Sequence, residues 1–148
     1  MIDEIIREDL AEIVSNLHKG SFEGKKVLVT GGAGFLGSWM CDALHELGAE
    51  ITCLDNLSTG KLENIDHLIG GENFEFWEQD ITKLKTDEKF DYIIHLASRA
   101  APEEYQLHPT ETLLANSIGS LSLLELARRC DAAILYASES DRSPKLPR

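Results

Sequence analysis

The sequence predicts an α/β fold: a doubly wound parallel sheet of five strands in the order 3-2-1-4-5. Three observations predict it. Short apolar runs alternate with helical patterns, the signature of a parallel sheet covered on both faces. The first run, Lys26 to Val29, enters the glycine-rich turn Thr30-Gly-Gly-Ala-Gly-Phe-Leu-Gly37, and an amphipathic stretch follows. Asp55 closes the second run, 18 residues after Gly37. Right-handed crossovers then fix the strand order.

Each element has its own signal. Ile5, Ile6, Leu10, Ile13, Val14 and Leu17 recur at helical spacing, so residues 3–17 read as an amphipathic helix. Residues 18–24 read as a linker, and residues 1–23 as a unit ahead of the main domain. The helix after the glycine turn opens at about Gly34. It is expected to bury Phe35, Leu36, Trp39, Met40, Ala43, Leu44 and Leu47, with Gly48 as its stop. Strand two spans Glu50 to Leu54, and the polar loop Asp55-Asn-Leu-Ser-Thr-Gly60 leads to a short helix near 61–68. Strand three is Phe74 to Glu78, followed by Asp80-Ile81; strand four is Tyr92 to Leu96. Residues 97–109 read as a long loop, 111–129 as a leucine-rich helix, and Ala132 to Tyr136 as strand five. The domain is expected to cover 24–141, with 142–148 as an irregular tail.

Composition narrows the function classes. The chain has 148 residues, enough for one domain with a core. No apolar run reaches the length of a membrane span, and the N-terminus has no signal-peptide pattern. Cys41, Cys53 and Cys130 are odd in number and widely spaced, which suits buried thiols in a reducing cytoplasm better than a disulfide framework or a metal site. A net charge of −12 disfavours nucleic acid and anionic membrane as partners. It does not disfavour an anionic cofactor, because local N–H groups and helix dipoles bind phosphate whatever the net charge.

The glycine turn carries the chemistry. It contains G-x-G-x-x-G at 32, 34 and 37 and G-x-x-G-x-x-G at 31, 34 and 37. Glycines let the backbone turn tightly and approach a pyrophosphate, and the helix N-terminus offers unpaired N–H groups. An acid after strand two accepts hydrogen bonds from ribose hydroxyls, so Asp55 and Asn56 form the expected ribose site. Strand, turn, helix and acid together make a Rossmann-like dinucleotide fingerprint rather than a turn that only packs helix on strand. The acid repels a 2′-phosphate, so NAD is expected over NADP. Asp80 is placed to accept from the adenine amino group, with Ile81 against the ring; the competing reading is a helix-cap Asp beside a core Ile. Leu96, Ala97 and Ser98 leave room for the nicotinamide half, or form a plain exit from the strand. His95 reads as a satisfied core histidine, Asn116 as a partner of loop backbone, and Arg128-Arg129 as dipole complements.

These residues resemble the extended short-chain dehydrogenase/reductase family of nucleotide-sugar enzymes, and within it the UDP-glucuronate decarboxylases. The resemblance covers about 24–138. It is carried by Thr30–Gly37, Asp55-Asn-Leu-Ser-Thr-Gly60, Glu72-Asn-Phe-Glu75, Asp80-Ile81, His95-Leu-Ala-Ser98, Pro102-Glu-Glu-Tyr105 and Asn116-Ser-Ile-Gly119. It implies NAD held by Gly31, Gly34, Phe35, Leu36, Gly37, Asp55, Asn56, Ser58, Thr59, Gly60, Asp80, Ile81, Leu96, Ala97 and Ser98. It also implies oxidation of the sugar at C4, loss of CO2 and return of the hydride, with a homodimer built through helix 111–129.

Departures from the family pattern set the alternatives. The family's proton transfer rests on Tyr-x-x-x-Lys, in which the lysine lowers the tyrosine pKa. Tyr92, Tyr105 and Tyr136 have Leu96, Pro109 and Ser140 four positions on. A family lysine in the long helix is Leu114 here, and Ser138-Glu-Ser-Asp141 replaces a Ser/Thr-rich stretch. A sixth strand and a substrate domain are not expected within these residues. The sequence reads as the first half of such an enzyme, ended by truncation, frameshift or choice of fragment, and inactive alone. A 4-epimerase or 4,6-dehydratase would share this half. A new catalyst would have to recruit Ser140 or His95, neither of which has an evident activating partner. A non-catalytic NAD-binding or dimerisation module is the remaining reading.

Overall fold

The computed structural model describes residues 4–17 and 20–138. Five parallel strands make one sheet in the order β3-β2-β1-β4-β5, as the sequence predicts. They are β1 (Lys26–Thr30), β2 (Glu50–Asp55), β3 (Phe74–Glu78), β4 (Tyr92–His95) and β5 (Ala133–Tyr136). Val27 pairs with Ile51 on one side and Tyr92 on the other, which fixes the central register. The strands lie within a residue of their expected bounds.

The apolar runs are continuous because both faces of the sheet are covered. Val27, Val29, Ile51, Cys53 and Ile94 face α2 (Phe35–Glu46), with Cys41, Leu44, Ile65 and Leu68 in the same cluster. Leu28, Leu54 and Ile93 face the other layer, with Ile81, Phe90, Leu123, Leu126 and Ala127. Alternate β1 residues therefore serve opposite cores, and Val27, Leu28 and Val29 are all fully buried. Helix α1 (Glu4–Ser15) packs on α2, with Leu10 buried and Ile13 and Leu17 exposed.

Several local expectations need correction. Phe35 and Leu36 are 77% and 64% exposed, not buried. Gly37 takes the inward position of that first turn, against the Gly31 carbonyl, so its two predecessors rotate outward. The segment after residue 60 forms only a 3₁₀ turn at Leu62–Asn64, followed by further turns. Residues 97–109 are not all loop. They include α3 (Pro102–Leu107), with Pro at its start and Glu103 and Glu104 in its first turn, both helix-initiating features. The long helix begins at Pro109 rather than 111. It runs as α4 (Pro109–Leu114), a π turn over Ala115–Gly119, and α5 (Ser120–Cys130), ending on Asp131 at φ 56°. Cys41 and Cys53 are buried, but Cys130 is only half-buried. The expected tail at 142–148 lies outside the described residues.

Candidate functional site

The carboxyl ends of β1, β2, β3 and β4 open onto one cleft at the switch between β1 and β4, where ligands bind in open α/β sheets. The turn after β1 forms its floor. Gly31 has φ +73°, and a Cβ there would lie 2.7 Å from the Leu96 carbonyl carbon. Only glycine lets β1 leave the sheet so close to the end of β4. Its N–H donates to the Leu54 carbonyl at 2.7 Å, tying the turn to β2. Gly34 caps α2 in an extended conformation with no side-chain cap, so the first N–H groups of that helix keep no side-chain acceptor there.

Asp55 fastens the turn to the next loop. Its carboxylate accepts from the Ala33 N–H at 3.0 Å and the Leu57 N–H at 2.8 Å, and it is 7% exposed. Burial pushes its pKa up, while the Leu57 and Ala33 N–H groups pull it down. Lys61 N–H and Asn64 Nδ2 both donate to the Ala33 carbonyl, at 3.0 and 2.8 Å, so residues 61–64 are bolted to the same turn.

The structure brings most of the sequence-predicted residues together. Gly31, Gly34, Asp55, Asn56, Ser58 and Thr59 line one side of the cleft, and Asp80, Ile81, Leu96, Ala97 and Ser98 line the rest. Phe35, Leu36, Gly37 and Gly60 are not among its lining residues. Gly37 is a packing glycine, because a Cβ there would drive into Gly31 and Gly32. Gly60 sits against Asp55, where a Cβ would come 2.8 Å from Oδ2. Asp80 is a cap: Oδ1 accepts from the N–H and the hydroxyl of Thr82, each at 2.8 Å. It also lines the cleft. Ser140 lies outside the described residues.

His95 is the satisfied core histidine that the sequence suggests. It is 3% exposed, with Nδ1 2.8 Å from the Thr30 hydroxyl and Nε2 3.3 Å from the Ser120 hydroxyl. Its ring stands edge-on to Tyr136 at 5.0 Å, and burial lowers its pKa. Asn116 reaches a side chain rather than loop backbone. Its Nδ2 donates to the Ser98 hydroxyl at 2.9 Å, and its Oδ1 accepts from Tyr136 at 3.3 Å.

Sequence reasoning missed several lining residues. Gln79 and Thr82 flank Asp80, and Arg99 follows Ser98. Glu111, Thr112, Leu114 and Ala115 overhang the cleft from the start of the long helix, at the i, i+1, i+3, i+4 spacing of one helix side. All four lie within the helix expected over 111–129, so their spacing was a signal present in the sequence. Two side-chain pairs away from the cleft had no signal. Asp42 binds His67 Nε2 at 2.6 Å, and burial raises the Asp42 pKa. The Cys41 thiol is held well above its ordinary range, first by its hydrogen bond to Cys53 and then by burial.

Sheet order, glycine turn and switch-point cleft define a Rossmann-like α/β domain. The comparisons then make the assignment specific. The NAD dependent epimerase/dehydratase family matches residues 27–143, and the chain belongs to that family, whose cofactor is NAD. It is 46% identical over 117 residues to UDP-glucuronic acid decarboxylase 1 of Danio rerio, covering 79% of this chain and 28% of that protein. The chain therefore spans little more than a quarter of the length of this curated relative. Among solved structures, UDP-N-acetylglucosamine 4-epimerase from Methanobrevibacter ruminantium M1 superposes with TM-score 0.72 at 30% identity, covering 85% of this chain and 42% of that one. UDP-glucose-4-epimerase from Stenotrophomonas maltophila, solved with bound NAD and formylated UDP-arabinopyranose, gives 0.66 at 26% identity, covering 81% of this chain and 40% of that one. No described helix is long and apolar enough to cross a membrane.

Proposed function

We propose that residues 24–141 are the NAD-binding part of a nucleotide-sugar-modifying enzyme of the UDP-glucuronate decarboxylase type. Residues 1–23 are read as a unit ahead of it, whose helix α1 packs on α2. The observation that carries the reading is the joining of the glycine turn, Asp55 and Asp80 around one cleft. The residues fit the cofactor. Gly34 leaves the α2 N-terminus uncapped for phosphate, and a Cβ there would meet only the Gly31 carbonyl, at 3.1 Å. Asp55 receives the ribose hydroxyls and opposes a 2′-phosphate. Asp80 and Ile81 receive adenine, and Leu96, Ala97 and Ser98 border the nicotinamide half. Bound NAD would supply hydride transfer; the chain's own residues hold and orient it and shield the cleft floor.

A 4-epimerase is the second reading, favoured by the structural likeness to two 4-epimerases. In either case a homodimer would form through 111–129, and free thiols at Cys41 and Cys53 suit a cytoplasmic setting. Calorimetry with NAD and NADP tests the core of the proposal. NAD should bind more tightly, and Asp55→Ala should weaken it by about 1–3 kcal/mol, the scale for hydrogen bonds to a charged group. Equal or tighter NADP binding would refute the ribose assignment.

A further inference from the structure

Arg99 is a cation that the dinucleotide fingerprint does not explain. It lines the cleft together with three carboxylates, Asp55, Asp80 and Glu111, and it is the one Lys or Arg among the lining residues. The whole chain carries a net charge of −12. For a nucleotide bearing phosphates, this guanidinium is the one full positive charge among the lining side chains, beside the partial charge of the α2 N-terminus at Gly34.

The side chain is set up to receive an anion. It is 14% exposed, and its Nη1 donates to Glu104 Oε2 at 2.6 Å. Glu104 is on α3, the short helix inside the expected loop, so that helix braces the guanidinium. A guanidinium has five N–H donors in a rigid fork. Glu104 takes a donor from Nη1, and no further partner of Arg99 is found among the described residues. Among the described residues no buried side-chain nitrogen is left without a partner, which leaves the remaining Arg99 donors in reach of solvent. Arg99 follows Ser98, whose hydroxyl accepts from Asn116, and this fixes the chain just before it.

We propose that Arg99, braced by Glu104, grips a phosphate oxygen of the nucleotide in the cleft. The proposal rests on the nucleotide reading of that cleft. The phosphate belongs either to the dinucleotide or to the diphosphate of a nucleotide sugar; the recognition chemistry is the same.

Calorimetry on the full chain with NAD and, separately, UDP-glucuronate tests this at two salt concentrations. Arg99→Gln should weaken one of the two about tenfold or more, since charged hydrogen bonds are lost. Added salt should weaken that ligand's binding to the wild type more than to the variant. Arg99→Lys should recover part of the loss, as a point charge without the fork. Loss on NAD assigns the phosphate to the cofactor; loss on UDP-glucuronate assigns it to the sugar nucleotide. Unchanged affinity for both ligands, or a loss with unaltered salt dependence, would overturn the proposal while leaving the cleft reading intact. A wild-type chain that binds neither ligand would overturn both.

Discussion

Asp55 accepts two backbone N–H groups with a carboxylate that is 7% exposed, and it is also the residue proposed to read ribose. Each carboxylate oxygen has two lone pairs, so the two tasks are compatible. They separate experimentally. Asp55→Asn keeps the size but turns an NH2 group toward a backbone donor. It should cost about 1–3 kcal/mol of stability, read from denaturant midpoints. Removal of the charge should also narrow the NAD-to-NADP affinity ratio; an unchanged ratio would leave Asp55 as a fold residue alone. His95 gives a pH dependence of known sign. Its folded pKa is lowered by burial, so its neutral form is the stable one in the sheet. That contribution is present above the ordinary histidine value of 6.5 and is lost as pH falls through the depressed value. Melting temperature should therefore fall below pH 6.5, and His95→Gln should flatten that slope even if it lowers stability overall. Asp42 and Asp55 act with the opposite sign, their contributions fading as pH rises from 3.8 through their raised values. The difference in slope between the wild type and His95→Gln therefore isolates His95.

At the scale of elements, the strand–turn–helix unit depends on how closely α2 approaches the turn. A Cβ on Gly37 would run into the backbone of Gly31 and Gly32, where no flexible side chain can yield. A Cβ on Gly119 would meet Ile81 Cγ2 at 2.9 Å, and a side chain can shift. Gly119→Ala should cost about 1–3 kcal/mol, the usual range for overpacking, and Gly37→Ala should cost more. Denaturant midpoints of the two variants give the order; a milder Gly37→Ala would show that α2 is free to back away. The sheet was legible because its strands are buried on both faces and read as unbroken apolar runs, as at Val27-Leu28-Val29. The cleft was legible because the switch point follows from strand order. Phe35 and Leu36 were misplaced because hydrophobicity does not report which first-turn residue faces the sheet; Gly37 does. Helix α3 had legible start signals in Pro102, Glu103 and Glu104, outweighed by the surrounding short alanine and polar residues. The π turn at Ala115–Gly119 was not legible. It lies where Gly119 meets Ile81 and Asn116 meets Ser98, contacts between distant parts of the sequence.

For the whole molecule, assembly and catalysis are separate questions. Leu113, Leu121 and Leu124 are 66%, 56% and 53% exposed, and β5 is an edge strand with Leu135 54% exposed. Such apolar surface favours association. Sedimentation should show concentration-dependent dimers that Leu121→Glu with Leu124→Glu disperses; a wild-type monomer at high concentration would refute the proposed dimer. Catalysis requires a proton carrier as well as a cofactor cleft. Tyr-x-x-x-Lys does not occur in the 148 residues, and His95 is engaged on both ring nitrogens. Tyr136 meets Asn116 and Ser120 but has no lysine four residues on. General acid–base help is worth about 10²–10⁴ in rate, and positioning by a substrate domain contributes more. The 148-residue chain, mixed with NAD and UDP-glucuronate, should therefore give neither NADH absorbance nor released CO2, although it binds the cofactor. Either signal, abolished by Asp55→Ala, would place a working base within these residues. The search for it would then begin at Ser140, four residues beyond Tyr136 in the sequence.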